Sequence, residues 1–178
     1  MNDRRGFTLI EIMIAIAIVG ILTIIATTNF SSWQSHYSGV GFQREFLSLA
    51  SEARTRSMAS TRQHRLLIDT GAETVTLQIG ILGTGTPSTG WTNVGQRVVG
   101  SRGAGIDNVV CTPSVTSPTF ALVFNPDGQV MVQDNTASSA ASPLTRADVH
   151  ISAANVADRA TITVFGWTSK ARLTNGWL

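Results

Sequence analysis

Residues 12–43 contain no Asp, Glu, Lys or Arg, and residues 12–26 are apolar apart from Gly20 and Thr23. A helix needs about 20 apolar residues to cross a bilayer core. Residues 7–26 have that length if Glu11 is tolerated. The helical pattern then continues: Phe42, Phe46, Leu49 and Ala53 recur at i, i+4, i+7 and i+11, an apolar stripe. Glu52 and Arg56 form a favourable i, i+4 pair. Gly39 and Gly41 interrupt the run and are expected to loosen it. A helix from Thr8 to about Ser60 would be ~80 Å long at 1.5 Å per residue. Its first half would project from a head and its second half would pack on a sheet.

Beyond Thr61 the pattern changes to short strands and turns. Val75, Leu77 and Ile79 alternate with polar residues, as on a half-buried strand. Residues 66–68 precede them, with Asp69-Thr70-Gly71 as a turn. Residues 80–105 are rich in Gly, Thr and Ser and read as a long loop with an edge strand near Val98. Residues 120–124 and 129–133 flank Asn125-Pro126-Asp127-Gly128, a strong turn signal. Residues 135–143 form a mobile, low-complexity Ser/Ala stretch. Residues 149–151 and 161–165 complete the strand candidates. The expected fold class is α+β: a long N-terminal transmembrane and assembly helix packed on a small antiparallel β-rich head.

Composition narrows the classes. A chain of 178 residues suits one domain plus an appendage. Charged residues are 13% of it, against roughly 25% in a typical soluble domain. The formal net charge is +2, part of it from Asp3, Arg4 and Arg5, so attraction of the whole protein to nucleic acid is not implied and only a local patch would supply it. Lys170 is the only lysine. Cys111 is the only cysteine, which excludes an internal disulfide and reads as a small buried apolar residue.

The N-terminus has three readings: a secretory signal, a plain anchor oriented by Arg4 and Arg5, or a leader cut off before a retained apolar stretch. Glu11 separates them. A carboxylate in hydrocarbon costs roughly 2.5–3.5 kcal/mol, and such residues are usually functional. Cutting after Gly6 would place a new amine on Phe7, one helical turn from Glu11 on the same face. Arg5-Gly6-Phe7-Thr8-Leu9-Ile10-Glu11 resembles the class III signal of type IV pilins and type II secretion pseudopilins. The resemblance implies that prepilin peptidase cleaves between Gly6 and Phe7 and methylates the Phe7 amine. It also implies that Glu11 pairs with a neighbouring subunit's N-terminus. Many type IV pilins have Pro at the position of Thr28; without it a kink is less expected there. The division that follows is a leader at 1–6, a hydrophobic helix at 7–34, and a head at 35–178 that includes the second half of the helix.

The order of parts further resembles the GspH/FimT/FimU-like minor pilins and pseudopilins. The matching stretches are Ser51-Glu52-Ala53-Arg54-Thr55-Arg56-Ser57-Met58-Ala59, then Phe124-Asn125-Pro126-Asp127-Gly128-Gln129, then a hydrophobic C-terminal strand. This implies a minor pilin that enters the tip of a type IV pilus and primes assembly. The alternatives are a GspH-like pseudopilin of type II secretion and a FimT-like DNA-binding subunit. The implied partners are other pilin or pseudopilin subunits, prepilin peptidase, the inner-membrane assembly platform, and the inner membrane before assembly, with the head in the periplasm.

Candidate chemistry in the head is sparse. His36, His64 and His150 are far apart and have no metal-ligand spacing. Asp127 lies in a turn rather than a calcium loop, and Gly83-Thr84-Gly85 lacks the context of a phosphate loop. No catalysis, metal or cofactor is expected. Arg54, Arg56, Arg62 and Arg65, with His64, read as a solvated helix end favoured by the helix dipole. In FimT-like subunits that bind DNA the tail resembles Gly-Arg-x-Arg. Here Ser169 replaces Gly and Lys170 replaces Arg, ahead of Arg172. Lys170 and Arg172, with Arg54 and Arg56, are the candidate phosphate contacts. Given the near-neutral charge, little or no DNA binding is expected.

Overall fold

The computed structural model of the protein describes residues 8–101, 103–134, 136–137 and 140–177, and of residues 26–29, 31 and 32 the helical backbone alone. The described residues form one helix, α1 (Leu9–Ser60), followed by eleven strands and a short 3-10 turn, Val156–Asp158. The chain divides into two compact units, Met1–Gln34 and Ser35–Leu178, and α1 contributes to both.

In the second unit two antiparallel sheets share one core with α1, an α+β fold. The larger sheet contains β1 (His64–Asp69), β2 (Thr74–Gly80), β3 (Trp91–Asn93), β4 (Val98–Val99), β6 (Thr119–Phe124), β7 (Val130–Gln133) and β8 (Ser142–Pro143). Its order is β3-β2-β1-β6-β7-β8, with β4 also on β2. The smaller sheet contains β5 (Gly105–Thr112), β9 (Arg146–Ser152), β10 (Ala160–Phe165) and β11 (Ala171–Asn175), in the order β11-β10-β9-β5.

The strand alternation in the sequence becomes the inner face of the larger sheet. Leu66 stands between Leu77 and Leu122, and Ile68 between Val75 and Phe120; all six are buried. Successive residues of a strand point to opposite faces, so these residues meet one side of the sheet. Phe42, Phe46, Ala50 and Ala53 of α1 belong to the same buried cluster, as do Val149, Ile151, Ile162 and Val164 of the smaller sheet. Leu49, assigned to the stripe from sequence, is only half-buried; Ala50 is fully enclosed.

Three expectations change. α1 runs unbroken through Gly39 and Gly41. Gly39 is a point of close approach: a Cβ there would lie 3.2 Å from Ala153 Cβ. Nearby, Asp158 accepts from Gln43 Nε2 through its backbone carbonyl and stands 2.7 Å from His36 Nδ1 through its carboxylate. That contact with His36 holds the Asp158 carboxyl below the usual range.

Second, the stretch 80–105 contains β3 in addition to the strand expected near Val98, which forms as β4. It is fastened by a buried amide: Gln63 Nε2 donates to Asn125 Oδ1 at 2.9 Å, and Gln63 Oε1 accepts from Ser88 N at 2.8 Å. Gly80 lets Ser88 come this close, since a Cβ there would lie 2.3 Å from Ser88 Oγ. Third, the stretch 135–143, read as mobile, ends in β8; its residues 135, 138 and 139 lie outside those described.

The turn at Asn125-Pro126-Asp127-Gly128 forms as its residues dictate. Gly128 takes φ +88°, a left-handed conformation glycine adopts without penalty. Its N–H donates to Asn125 O at 3.0 Å. The two sheets are tied where β10 ends: Val130 N donates to Gly166 O at 2.7 Å and Gly166 N to Thr145 O at 3.0 Å.

Cys111 is buried in β5. Burial and the charges of Asp148 and Asp134 push its thiol up to about 12. Only a thiolate is a good nucleophile, so Cys111 in the folded chain should resist maleimide alkylation at neutral pH and react once the chain is unfolded in guanidinium. Rapid labelling of the native chain, read by mass, would contradict its burial.

Candidate functional site

The cleavage and methylation residues expected from sequence, Gly6 and Phe7, lie outside the described residues. The third, Glu11, sits in the first turn of α1. Its Oε2 accepts from Thr8 N at 2.8 Å and from Thr8 Oγ1 at 2.9 Å, while Glu11 N donates back to Thr8 Oγ1 at 3.3 Å. This is a reciprocal capping box, which satisfies helix donors that have no carbonyl above them. Thr8 is therefore a partner of Glu11 that sequence reasoning passed over, although Thr-x-x-Glu ahead of an apolar run announces such a cap. Both bonds to Thr8 use the same carboxylate oxygen, Oε2.

After Glu11 the helix is apolar on every side. Leu9, Ile10, Ile12, Met13 and the isoleucines, leucine and valine onward to Ile25 are each more than half exposed. A helix apolar all round requires an apolar environment. Among the described residues, no helix is long and apolar enough to cross a membrane. Residues 9–25 rise ~26 Å, against about 30 Å for a hydrocarbon core. The expected span, 7–26, begins and ends on residues whose side chains are not described.

Arg56 and Arg62 are exposed at the helix end as expected, but two of the basic residues are not part of it. Arg65 and His64 are buried in β1. Arg65 Nε donates to Gln78 Oε1 at 2.6 Å and its Nη1 to Gln133 Oε1 at 2.9 Å, with the guanidinium 4.3 Å from the Trp91 ring centroid. Burial lowers its pKa to about 10, so it remains a cation at neutral pH. His64 is held neutral by burial, which lowers its pKa. Arg62 Nε donates to Gly80 O at 2.8 Å, and Arg56 pairs with Glu52 at 2.7 Å. The reason for the correction is covalent: α1 ends at Ser60, and the next residues enter the sheet at once.

Arg54 goes elsewhere. Its Nε donates to Ser169 Oγ at 2.9 Å, which brings it beside the tail residues Lys170 and Ala171. Arg172 is exposed on β11, opposite Thr163 of β10. The structure thus joins Arg54 to the tail and leaves Arg56 with its own helix. The remaining histidines are apart: His36 faces Asp158, and His150 packs edge-on to Trp177.

The described residues thus combine a capped, acid-bearing helix start, an exposed apolar helix and an α+β head. Residues 1–27 match the family model described as the prokaryotic N-terminal methylation motif, the signal handled by prepilin peptidase in membrane-anchored precursors that join other pilin subunits. No curated protein and no solved structure matches the chain.

Proposed function

We propose that the chain is a minor pilin. Prepilin peptidase cuts it between Gly6 and Phe7 and methylates the Phe7 amine. The protein then waits in the inner membrane on the apolar helix, with its head in the periplasm, and enters a type IV pilus at the tip, where it primes assembly. The head performs no catalysis. The observation that carries this reading is the ring of exposed aliphatic side chains between Leu9 and Ile25 behind a single carboxylate. Lipid covers such a ring before assembly, and the helices of other subunits cover it afterwards. Glu11 supplies the acid that a neighbour's N-terminal ammonium needs in an apolar bundle, where an unpaired charge is expensive.

The test is the mass of the mature protein. A chain beginning at N-methylated Phe7 is the expected result. Gly6→Val, which puts a β-branched residue at the cut, should leave the full-length precursor in the membrane and none in the sheared pilus fraction. A native N-terminus elsewhere would remove the basis of the proposal.

A further inference from the structure

The smaller sheet ends at β5 on one side and β11 on the other. A strand edge presents unpaired N–H and C=O groups, and proteins usually blunt it. β5 is blunted twice. Its register slips between Ile106 and Asn108, and Asn108 Oδ1 takes the N–H of Val109 at 2.8 Å. In the larger sheet the outer strands are two or three residues long, and β8 carries Pro143. β11 has none of these devices: its five residues pair with β10 in unbroken register.

Register decides which backbone groups remain. Phe165 N donates to Lys170 O at 2.9 Å, and Gly176 N donates to Arg159 O at 2.8 Å. With a period of two, Arg172 and Thr174 direct their N–H and C=O to β10, while Ala171, Leu173 and Asn175 direct theirs away. Among the described residues those outward groups meet no backbone partner. Between this edge and α1 lies a hollow of about 180 Å³, lined by Ser51, Arg54, Thr55, Ser169, Lys170 and Ala171. Its charge is positive. Lys170 and Arg172 are exposed, and no carboxylate among the described residues pairs with either or with Arg54; the nearby acids Glu52 and Asp148 are taken by Arg56 and Arg146.

We propose that β11 is an acceptor edge for an extended, acidic segment of a partner protein, which joins the sheet as a fifth strand and sets a carboxylate in the hollow against Arg54 and Lys170. Main-chain bonds supply affinity in such additions and alternate side chains supply selectivity. A second copy of this chain fits less well, because it would bring Lys170 and Arg172 to an edge that already carries them. The proposal goes beyond the assembly role, which rests on α1.

The test uses the full chain in detergent micelles and two synthetic peptides of alternating valine and charged residues, one carrying Asp and the other Lys. Residue-resolved amide hydrogen exchange is the readout. The Asp peptide should slow exchange at Ala171, Leu173 and Asn175 by about tenfold or more, and leave Arg172 and Thr174, already bonded to β10, unchanged. The double variant Lys170→Glu/Arg172→Glu should answer the Lys peptide instead. Asn175→Pro, which loses an outward N–H only, should weaken binding of the Asp peptide while the chain keeps its melting temperature. Unchanged exchange at the three outward amides would overturn the proposal. So would duplex DNA that displaces the peptide without protecting those amides, since the site would then be a polyanion surface. Neither outcome touches the Phe7 terminus or the filament fraction, so failure here is distinguishable from failure of the pilin reading.

Discussion

Gly166→Ala is expected to destabilise the head by more than about 3 kcal/mol, the range of severe overpacking. A Cβ at this position would lie 1.6 Å from Leu144 O and 2.3 Å from its carbonyl carbon. The obstacle is backbone, so no rotamer change relieves it. Gly166 cannot simply withdraw, because its N–H is given to Thr145 O and its C=O accepts from Val130 N. Moving it breaks one of the bonds that tie the two sheets. Denaturant unfolding of the full chain, followed by tryptophan fluorescence, should show a lower midpoint. Gly41→Ala is the control of opposite sign. A Cβ there meets nothing within 4 Å, and alanine in a helix interior gains roughly 0.5–1 kcal/mol over glycine. Equal midpoints for the wild type and Gly166→Ala would show that the close approach constrains nothing.

Removal of the Glu11 charge should have the largest effect on assembly. Glu11→Ala is expected to insert into the membrane as well as the wild type or better, since it relieves a cost of roughly 2.5–3.5 kcal/mol. It should nonetheless fall at least about tenfold in the sheared pilus fraction, because breaking a buried ion pair by removing one partner costs about 3–5 kcal/mol. The cap on Thr8 offers a second explanation for such a loss, and Glu11→Gln separates the two. Glutamine keeps an acceptor for Thr8 N but cannot neutralise an ammonium. Loss of both variants from filaments supports pairing with a neighbour. Incorporation of the glutamine variant at wild-type levels would reduce Glu11 to a helix cap.

The second half of the helix was legible from its stripe of Phe42, Phe46 and Ala53, and β2 from the alternation of Val75 and Leu77; β6 and β7, buried at nearly every position, were legible because they flank the turn at residues 125–128. β5 was not, because the irregularity between Ile106 and Asn108 shifts its parity midway and destroys the alternation. β3 is too short and too exposed to carry a pattern, whereas β4 was marked by Val98, which is buried. Arg65 was misread for another reason. Its burial depends on Gln78, its cross-strand neighbour, and on Gln133, two strands away, and nothing local announces either. At the candidate site, Glu11 was visible as a lone charge in an apolar run, whereas its bond to Thr8 required reading the same residues as a helix start. The link from Arg54 to Ser169 spans 115 positions, beyond the reach of any local pattern.

The interleaving of the two sheets bears on when the head can close. β5 has its one strand neighbour in β9, which follows only after β6, β7 and β8 have gone to the other sheet. The smaller sheet is therefore empty until most of the chain is present, and the core it shares with α1 stays open on that side. Pairings this distant in sequence form slowly, because the loop must be closed before any contact rewards it. A head emerging N-terminus first would hold the larger sheet and a half-covered helix until β9 and β10 arrived, and would close only then. Chains cut short before β10 would never close, and their open cores would mark them for proteolysis before they reached a filament.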